Sequence, residues 1–202
     1  MPLPNHQKII LASGNKGKIK EIQATLKGHL IIPQSEFNVV EAEETGSTFV
    51  ENAIIKARNA ALHCSSPAIA DDSGLVVDAL NGAPGVISAR YAGDGASDRQ
   101  NLLKLLQELE DIPPEQRSAR FVCVIVFMRH ANDPLPLIAQ GTWEGTILKR
   151  PVGDNGFGYD PVFWVPAHRQ ASAELNPEQK NAISHRGQAL SILTAMFRSC
   201  GL

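Results

Sequence analysis

Ten consecutive residues, 120–129 (RFVCVIVFMR), place the tightest limit on what this chain can fold into. They are β-branched and aromatic almost throughout and contain neither Gly nor Pro. Such a run predicts a strand, and its lack of polar alternation predicts a central strand buried on both faces. A doubly covered strand needs helices on either side, so the rest of the sequence is expected to supply them. It does so in alternation. Residues 8–12 read as a strand, 13–17 as a polar turn containing Gly, and 18–27 as a helix with Ile19, Ile22 and Leu26 on one face. Residues 30–32 form another short strand, stopped by Pro33.

The later helices announce their starts. Thr48-Phe-Val-Glu51 and Ser97-Asp-Arg-Gln100 are capping-box patterns, and Asn176-Pro177 puts Pro at a first helical position. After Thr48, Phe49, Ala53, Ala57 and Ala60 recur at helical spacing as a core face, while Asn52, Lys56, Asn59 and His63 line a polar stripe. Residues 68–70 and 75–78 read as two strands either side of a tight polar segment, Asp71-Asp72-Ser73-Gly74. Residues 135–148 are expected to return antiparallel. Ile183, Leu190, Leu193 and Phe197 give the last helix its core face. The sum is a layered α/β domain. At 202 residues the chain is one globular unit or two small lobes sharing a core.

Composition excludes several classes. With 43% hydrophobic and 20% charged residues the chain is neither disordered nor a disulfide miniprotein. Its formal net charge of −2 supplies no field toward nucleic acid or an anionic membrane, so neither is expected as a partner. Cys64, Cys123 and Cys200 form no metal spacing and are expected as reduced, packed thiols of a cytoplasmic protein. The apolar run in MPLPNHQKIILAS is too short for a signal segment or membrane span and reads as the lead-in to the first strand.

Four segments carry chemistry. Ser13, Gly14, Asn15, Lys16, Gly17 and Lys18 lie between a strand and a helix, where amides and the helix dipole favour an anion. They match neither a Walker A loop nor GxGxxG, and read alone are a phosphate loop or an ordinary turn. Glu41, Glu43 and Glu44, with Asp71 and Asp72, form an acidic set able to bind Mg²⁺ or take a proton from water. Asp72 lies between Ala-Ile-Ala and Leu-Val-Val, where a carboxylate needs a partner or a task; like charge from its neighbour is expected to raise a pKa of the pair. The loop around Phe157, Gly158, Tyr159 and Asp160 holds three glycines, and four of the eleven aromatic residues fall between Phe157 and Trp164. Phe163 and Trp164 read as core, and Phe157 as a platform for a flat ligand. Lys180 with His185 and Arg186 precedes a helix and is a ligand group or a surface pair; Lys56 on its polar stripe is likewise solvated or liganding.

Together these segments resemble one family. SGNxxK, EETGxTFxENAxxKA at 43–57, ADDSGL at 70–75, GAPGxxSARYAG at 82–93, GFGYDPxF at 156–163 and SHRGxAL at 184–190 are similar to the non-standard purine nucleoside triphosphate pyrophosphatases, the Ham1-like or RdgB-like family. The resemblance runs from about Lys8 to Arg198. Ser13 stands where threonine is common, which keeps the hydroxyl. The resemblance implies an elongated mixed sheet flanked by helices, in two lobes with a central cleft, a single domain over 1–202, and a homodimer. It implies Mg²⁺-dependent hydrolysis of ITP, dITP and XTP to the monophosphate and pyrophosphate, which keeps deaminated purines out of DNA and RNA. Carried over by motif, residues 13–18 bind the triphosphate and Asp72 is the proton acceptor. Glu43 and Asp72 hold Mg²⁺, with Glu44 and Asp71 as the alternatives. Ser73, Phe157 to Asp160, Lys180, His185 and Arg186 bind nucleotide, with Lys56 a further phosphate contact.

Elementary chemistry agrees with that assignment. Lysines in a partly dry site offset the triphosphate charge and the departing pyrophosphate. Donors from His185 or Arg186 suit a 6-oxo group and leave the 6-amino group of adenine facing a donor. Guanine also carries a 6-oxo group, so its rejection needs another device, such as exclusion of the 2-amino group by shape. Two rivals stand beside this reading: a pyrimidine or modified-nucleotide pyrophosphatase, and a nucleotide sensor that binds without cleaving.

Overall fold

Each expected strand and helix core is present in a computed structural model, which describes residues 8–202; the expectation for the N-terminal lead-in falls partly on residues outside that range. The elements, in chain order, are β1 (Lys8–Leu11), α1 (Lys16–Thr25), β2 (Leu30–Pro33), α2 (Phe49–Cys64), β3 (Ala68–Val77), α3 (Asp98–Glu108), β4 (Ser118–Met128), β5 (Leu137–Ile147), β6 (Phe163–Val165), β7 (Gln170–Ala171), α4 (Pro177–Ile183) and α5 (His185–Cys200). Short 3-10 turns fill several connections. The strands form one seven-stranded sheet in the order β2-β1-β3-β4-β5-β6-β7. β1 pairs parallel with β2 and with β3, whereas β6 pairs antiparallel with β5 and β7, so the sheet is mixed.

The caps read from sequence are made. The Thr48 and Glu51 side chains satisfy each other's backbone amides at the start of α2, and Ser97 with Gln100 does the same for α3. Asn176 caps α4 with Pro177 in its first turn. Each such cap is worth about 1 kcal/mol.

By contacts the chain divides into two compact units. The first runs to Asp72 and adds Cys123–Gly141 and Gln188–Leu202; the second is Ser73–Val122 with Thr142–Gly187. Each has its own core. In the first, Ile9 and Leu11 of β1, Ile22 of α1, Ile69 of β3, Ile125 and Phe127 of β4, and Leu190, Leu193 and Phe197 of α5 pack together. In the second, Leu75 and Val77 of β3, Leu102 and Leu105 of α3, Phe121 of β4, Trp143 and Ile147 of β5, and Phe163 of β6 do so.

Four expectations change. The run at 120–129 is buried throughout only from Cys123 to Met128; from Ser118 to Val122 burial alternates, and Arg120 reaches Asp78 and Glu144 at the surface. Asp71-Asp72-Ser73-Gly74 is not a turn between two strands. It is the middle of one ten-residue strand, because lysines from α1 and α2 neutralise the acids and let them stay in the ladder. Ile183 belongs to α4 rather than to the last helix, since extended Ser184 separates α4 from α5. Ser184 Oγ accepts from the Gly187 amide and thereby caps α5, so His185 and Arg186 form the first turn of a helix instead of preceding one. No described helix is long and apolar enough to cross a membrane.

Candidate active site

In the first unit, β1 delivers the chain into the glycine turn. The Asn15 carboxamide accepts from the Gly17 and Lys18 amides, which caps α1 and fixes the turn at the helix's positive end. Ser13 Oγ accepts from the Asn15 amide at 3.3 Å. Lys16 is exposed, whereas Lys18 turns inward and pairs with buried Asp71 at 3.0 Å. Glu41 lies against this turn: a Cβ at Gly14 would stand 2.7 Å from Glu41 Oε1, so a larger residue would push the exposed Glu41 carboxylate aside.

Asp71 and Asp72 leave β3 on opposite faces, as successive strand residues must. Asp71 meets Lys18 and lies 4.0 Å from the Cys123 thiol. Asp72, 5% exposed, meets α2. Its Oδ1 accepts from Lys56 at 2.7 Å, and Asn52 Nδ2 approaches its Oδ2 at 3.5 Å. Lys56 also donates to Glu44 at 3.0 Å. Asn52 and Lys56, four residues apart, thus present one polar face to the aspartate. Asn52 Oδ1 also accepts from the Gly46 amide at 2.8 Å and so ties the acidic loop to Asp72.

Electrostatics follow from burial. Desolvation raises the Asp72 pKa above the ordinary carboxylate value, against the pull of Lys56 and Lys18. The cause is therefore burial, with a small like-charge contribution from Glu44, and not the neighbouring Asp71 expected from sequence. Burial disfavours the Lys56 ammonium, but Asp72 and Asp71 outweigh it, so its pKa rises and the group stays charged.

Glu43 is exposed; Glu44 is half-buried and shares Lys56 with Asp72. Among the described residues no three His, Cys, Asp or Glu side chains gather into a metal cluster. Mg²⁺ asks for less, since one or two carboxylates with water and phosphate oxygens suffice. Asp72 and Glu44 both place an oxygen within 3.0 Å of one ammonium nitrogen, so hard oxygens here converge on a cation and fit such an ion.

The second unit carries the other predicted residues. Asp160 is buried and organises its loop. It accepts from the Phe157 amide (2.8 Å), Ser172 Oγ (2.7 Å) and Lys180 Nζ (2.6 Å). Gly156 makes room for it, because a Cβ there would sit 2.8 Å from the Asp160 carboxyl carbon. Lys180 lies over the Phe157 ring at 5.0 Å from its centroid, and the Arg186 guanidinium is 5.9 Å from the same ring. Arg186 also donates to Ser73 Oγ at 3.1 Å. The Gly158 amide donates to Asp98, and the Tyr159 hydroxyl, its pKa raised by burial, donates to the Ser88 carbonyl. Phe163 is core as expected, while Trp164 is half-buried. Lys180, His185 and Arg186 are all buried, which removes the surface-pair reading. The His185 ring stacks on Phe121 at 4.8 Å and 12°.

The sequence placed Asn52 on the polar stripe of α2 and Phe121 in a strand, but gave neither these two nor Trp143 a role in the site. Asn52 had a usable signal, its four-residue spacing from Lys56 on one helix face. Phe121 and Trp143 had none, being two strand aromatics distant in sequence from His185.

Both the sequence and the fold match known proteins. The Ham1 family model matches residues 9–196. A Vibrio cholerae protein named dITP/XTP pyrophosphatase is 61% identical over 189 residues, covering 93% of this chain and 94% of its own. The solved structure of a HAM1 protein from Coxiella burnetii is 55% identical with a TM-score of 0.90, covering 96% of this chain and 99% of its own. That of the Staphylococcus aureus Ham1 protein is 44% identical with a TM-score of 0.87, covering 96% and 99%. With the family model spanning nearly the whole sequence and both solved folds superposing closely, the chain is a member of the Ham1 family.

Proposed function

We infer that this chain is a nucleoside-triphosphate pyrophosphatase, hydrolysing non-standard purine triphosphates such as dITP, ITP and XTP to the monophosphate and pyrophosphate. The relatives carry that activity in their names, and the observation here that supports it most is Asp72. It is a buried carboxylate with a raised pKa, held by Lys56 and faced by Asn52, beside an acidic loop and on the same strand as a lysine-paired aspartate.

The roles divide between the units. In the first, the positive end of α1, with Lys16 and Lys18, suits phosphate oxygens. Asp71 holds Lys18 at 3.0 Å. Asp72 is assigned as proton acceptor for the attacking water, its burial making it a stronger base than a solvated aspartate. Lys56 keeps Asp72 oriented and remains charged to offset phosphate. Mg²⁺ is proposed as cofactor; when bound it neutralises phosphate charge and orients water. Asp72 and Glu43 are the proposed holders. Glu43 is taken from the family motif, and Glu44, which shares Lys56 with Asp72, is the alternative. In the second unit, Phe157 offers a ring face to a purine, flanked by Lys180 and Arg186. Ser73, Gly158, Tyr159, Asp160 and His185 complete the proposed nucleotide set, although Asp160 works through Phe157 and Lys180 because its oxygens are already occupied. A cytoplasmic homodimer is proposed from the family resemblance.

The test is pyrophosphate release from dITP, XTP, dATP, dGTP and dUTP, with and without Mg²⁺. Release from dITP and XTP at least 100-fold faster than from dATP is expected, on the scale of unpaired-donor rejection, and EDTA should abolish it. Equal turnover of dUTP would favour the pyrimidine alternative. Asp72→Asn should lower kcat about 10²–10⁴-fold, as loss of a general base does; unchanged kcat would remove the assignment.

A further inference from the structure

We propose that Phe121 and Trp143 determine the base selectivity of this site by fixing the plane of the His185 ring. The inference rests on the reading of His185 as a base-recognition residue and adds the residues through which it acts.

The placement begins with strand alternation. Along β5 the residues Ala139, Gly141, Trp143, Gly145 and Ile147 are buried while their neighbours are more open, so Trp143 points inward. In the first half of β4, Ala119 and Phe121 are the buried residues. Gly145 matters between them, because a Cβ there would lie 2.6 Å from the Phe163 ring. Its absence lets Phe163 tilt against both Phe121 (4.6 Å, 50°) and Trp143 (5.2 Å, 50°). Phe121 and Trp143 are thereby held within 25° of parallel at 6.3 Å.

His185 joins this cluster from the first turn of α5. Its ring lies 4.8 Å from Phe121 at 12° and 6.4 Å from Trp143 at 16°. The three centroid separations are those of a triangle, not a column, so the imidazole lies nearly parallel to both rings, closer to Phe121 than to Trp143. The terminal torsion of a histidine has broad wells and by itself does not hold a ring plane. A parallel stack does. Since the ring N–H lies in that plane, the stack sets the direction in which His185 can donate. Hydrogen bonds weaken steeply when misaligned, so a donor held in one direction separates a 6-oxo acceptor from a 6-amino donor, and a swivelling one does not. Phe121 and Trp143 are positioning residues in this account.

The experiment measures kcat/KM for dITP and for dATP in the full-length protein, with thermal melting alongside. Phe121→Leu keeps apolar bulk and removes the flat face. The dITP:dATP ratio is expected to fall about tenfold, the weight of one aromatic pair, mainly through a higher KM for dITP. Phe121→Tyr, which keeps the ring, should restore it. Trp143→Leu should lower the ratio less, and it decides the matter if Phe121→Leu does not fold. A ratio within twofold of wild type in a folded leucine variant overturns the proposal while leaving the pyrophosphatase reading intact. A wild-type protein that does not prefer dITP to dATP overturns both.

Discussion

Gly187→Ala should destabilise the protein even though alanine is the better helix former. Gly187 is the third residue of α5, and its φ lies outside the left-handed region, so the backbone itself would accept alanine. In an open helix the exchange gains about 0.5–1 kcal/mol. Here a Cβ would stand 2.9 Å from the Asn181 carbonyl carbon and closer still to its oxygen, with Ser184 Oγ at 3.4 Å. The obstacle is backbone of α4, which cannot rotate away as a side chain can. Overpacking of this kind costs about 1–3 kcal/mol, occasionally more, which exceeds the propensity gain. Net of that gain the loss reaches about 2.5 kcal/mol, which for a chain of this size lowers Tm by up to about 10 °C. The strain falls where Lys180, His185 and Arg186 are set, so KM for dITP should rise as well. The assay is thermal melting by circular dichroism with steady-state kinetics. Gly28→Ala is the matched control: nothing lies within 4 Å of its Cβ position, and its Tm should stay within about 2 °C. A Gly187→Ala protein melting at or above wild type would refute the steric reasoning.

Two further outcomes follow from buried charges. Burial pushes the Asp133 carboxyl up, but the Arg129 side chain and amide and the Leu135 amide outweigh it and hold its pKa at about 2. Its folded pKa is thus depressed, so its contribution is fully present above the unfolded value near 3.8 and disappears as pH falls through about 2. Asp133→Asn should cost about 1–2 kcal/mol at pH 7, discounted for solvent at Arg129, and denaturant titrations should show the difference from wild type shrinking between pH 4 and 2. Lys180→Met leaves Asp160 buried without its cation, a loss of about 3–5 kcal/mol. Adding Asp160→Asn to that variant should recover stability, and a double mutant no more stable than Lys180→Met would show the pair is uncoupled.

Strong local signals survived folding: the three caps, the apolar run of β4 and the alanine face of α2 all stand where residue spacing put them. The failures share a cause. DDSG has turn chemistry, yet Lys18 and Lys56 supply partners from two helices, and no local pattern encodes partners 53 and 16 residues away. The surface-pair alternative for His185 and Arg186 stayed open in the sequence for the same reason. The site was legible because its motifs are long, whereas Asp160 as a loop organiser and the ring cluster under His185 depend on partners distant in sequence.

The alternation of Asp71 and Asp72 along β3 carries a consequence for engineering. One acid answers to a lysine on α1, the other to a lysine on α2. Inserting or deleting a single residue just before them would send each carboxylate to the wrong side of the sheet, exchanging base and buttress in one step. Surface connections can be lengthened freely, but the count of residues from Ala68 to Asp72 is fixed by this two-sided neutralisation.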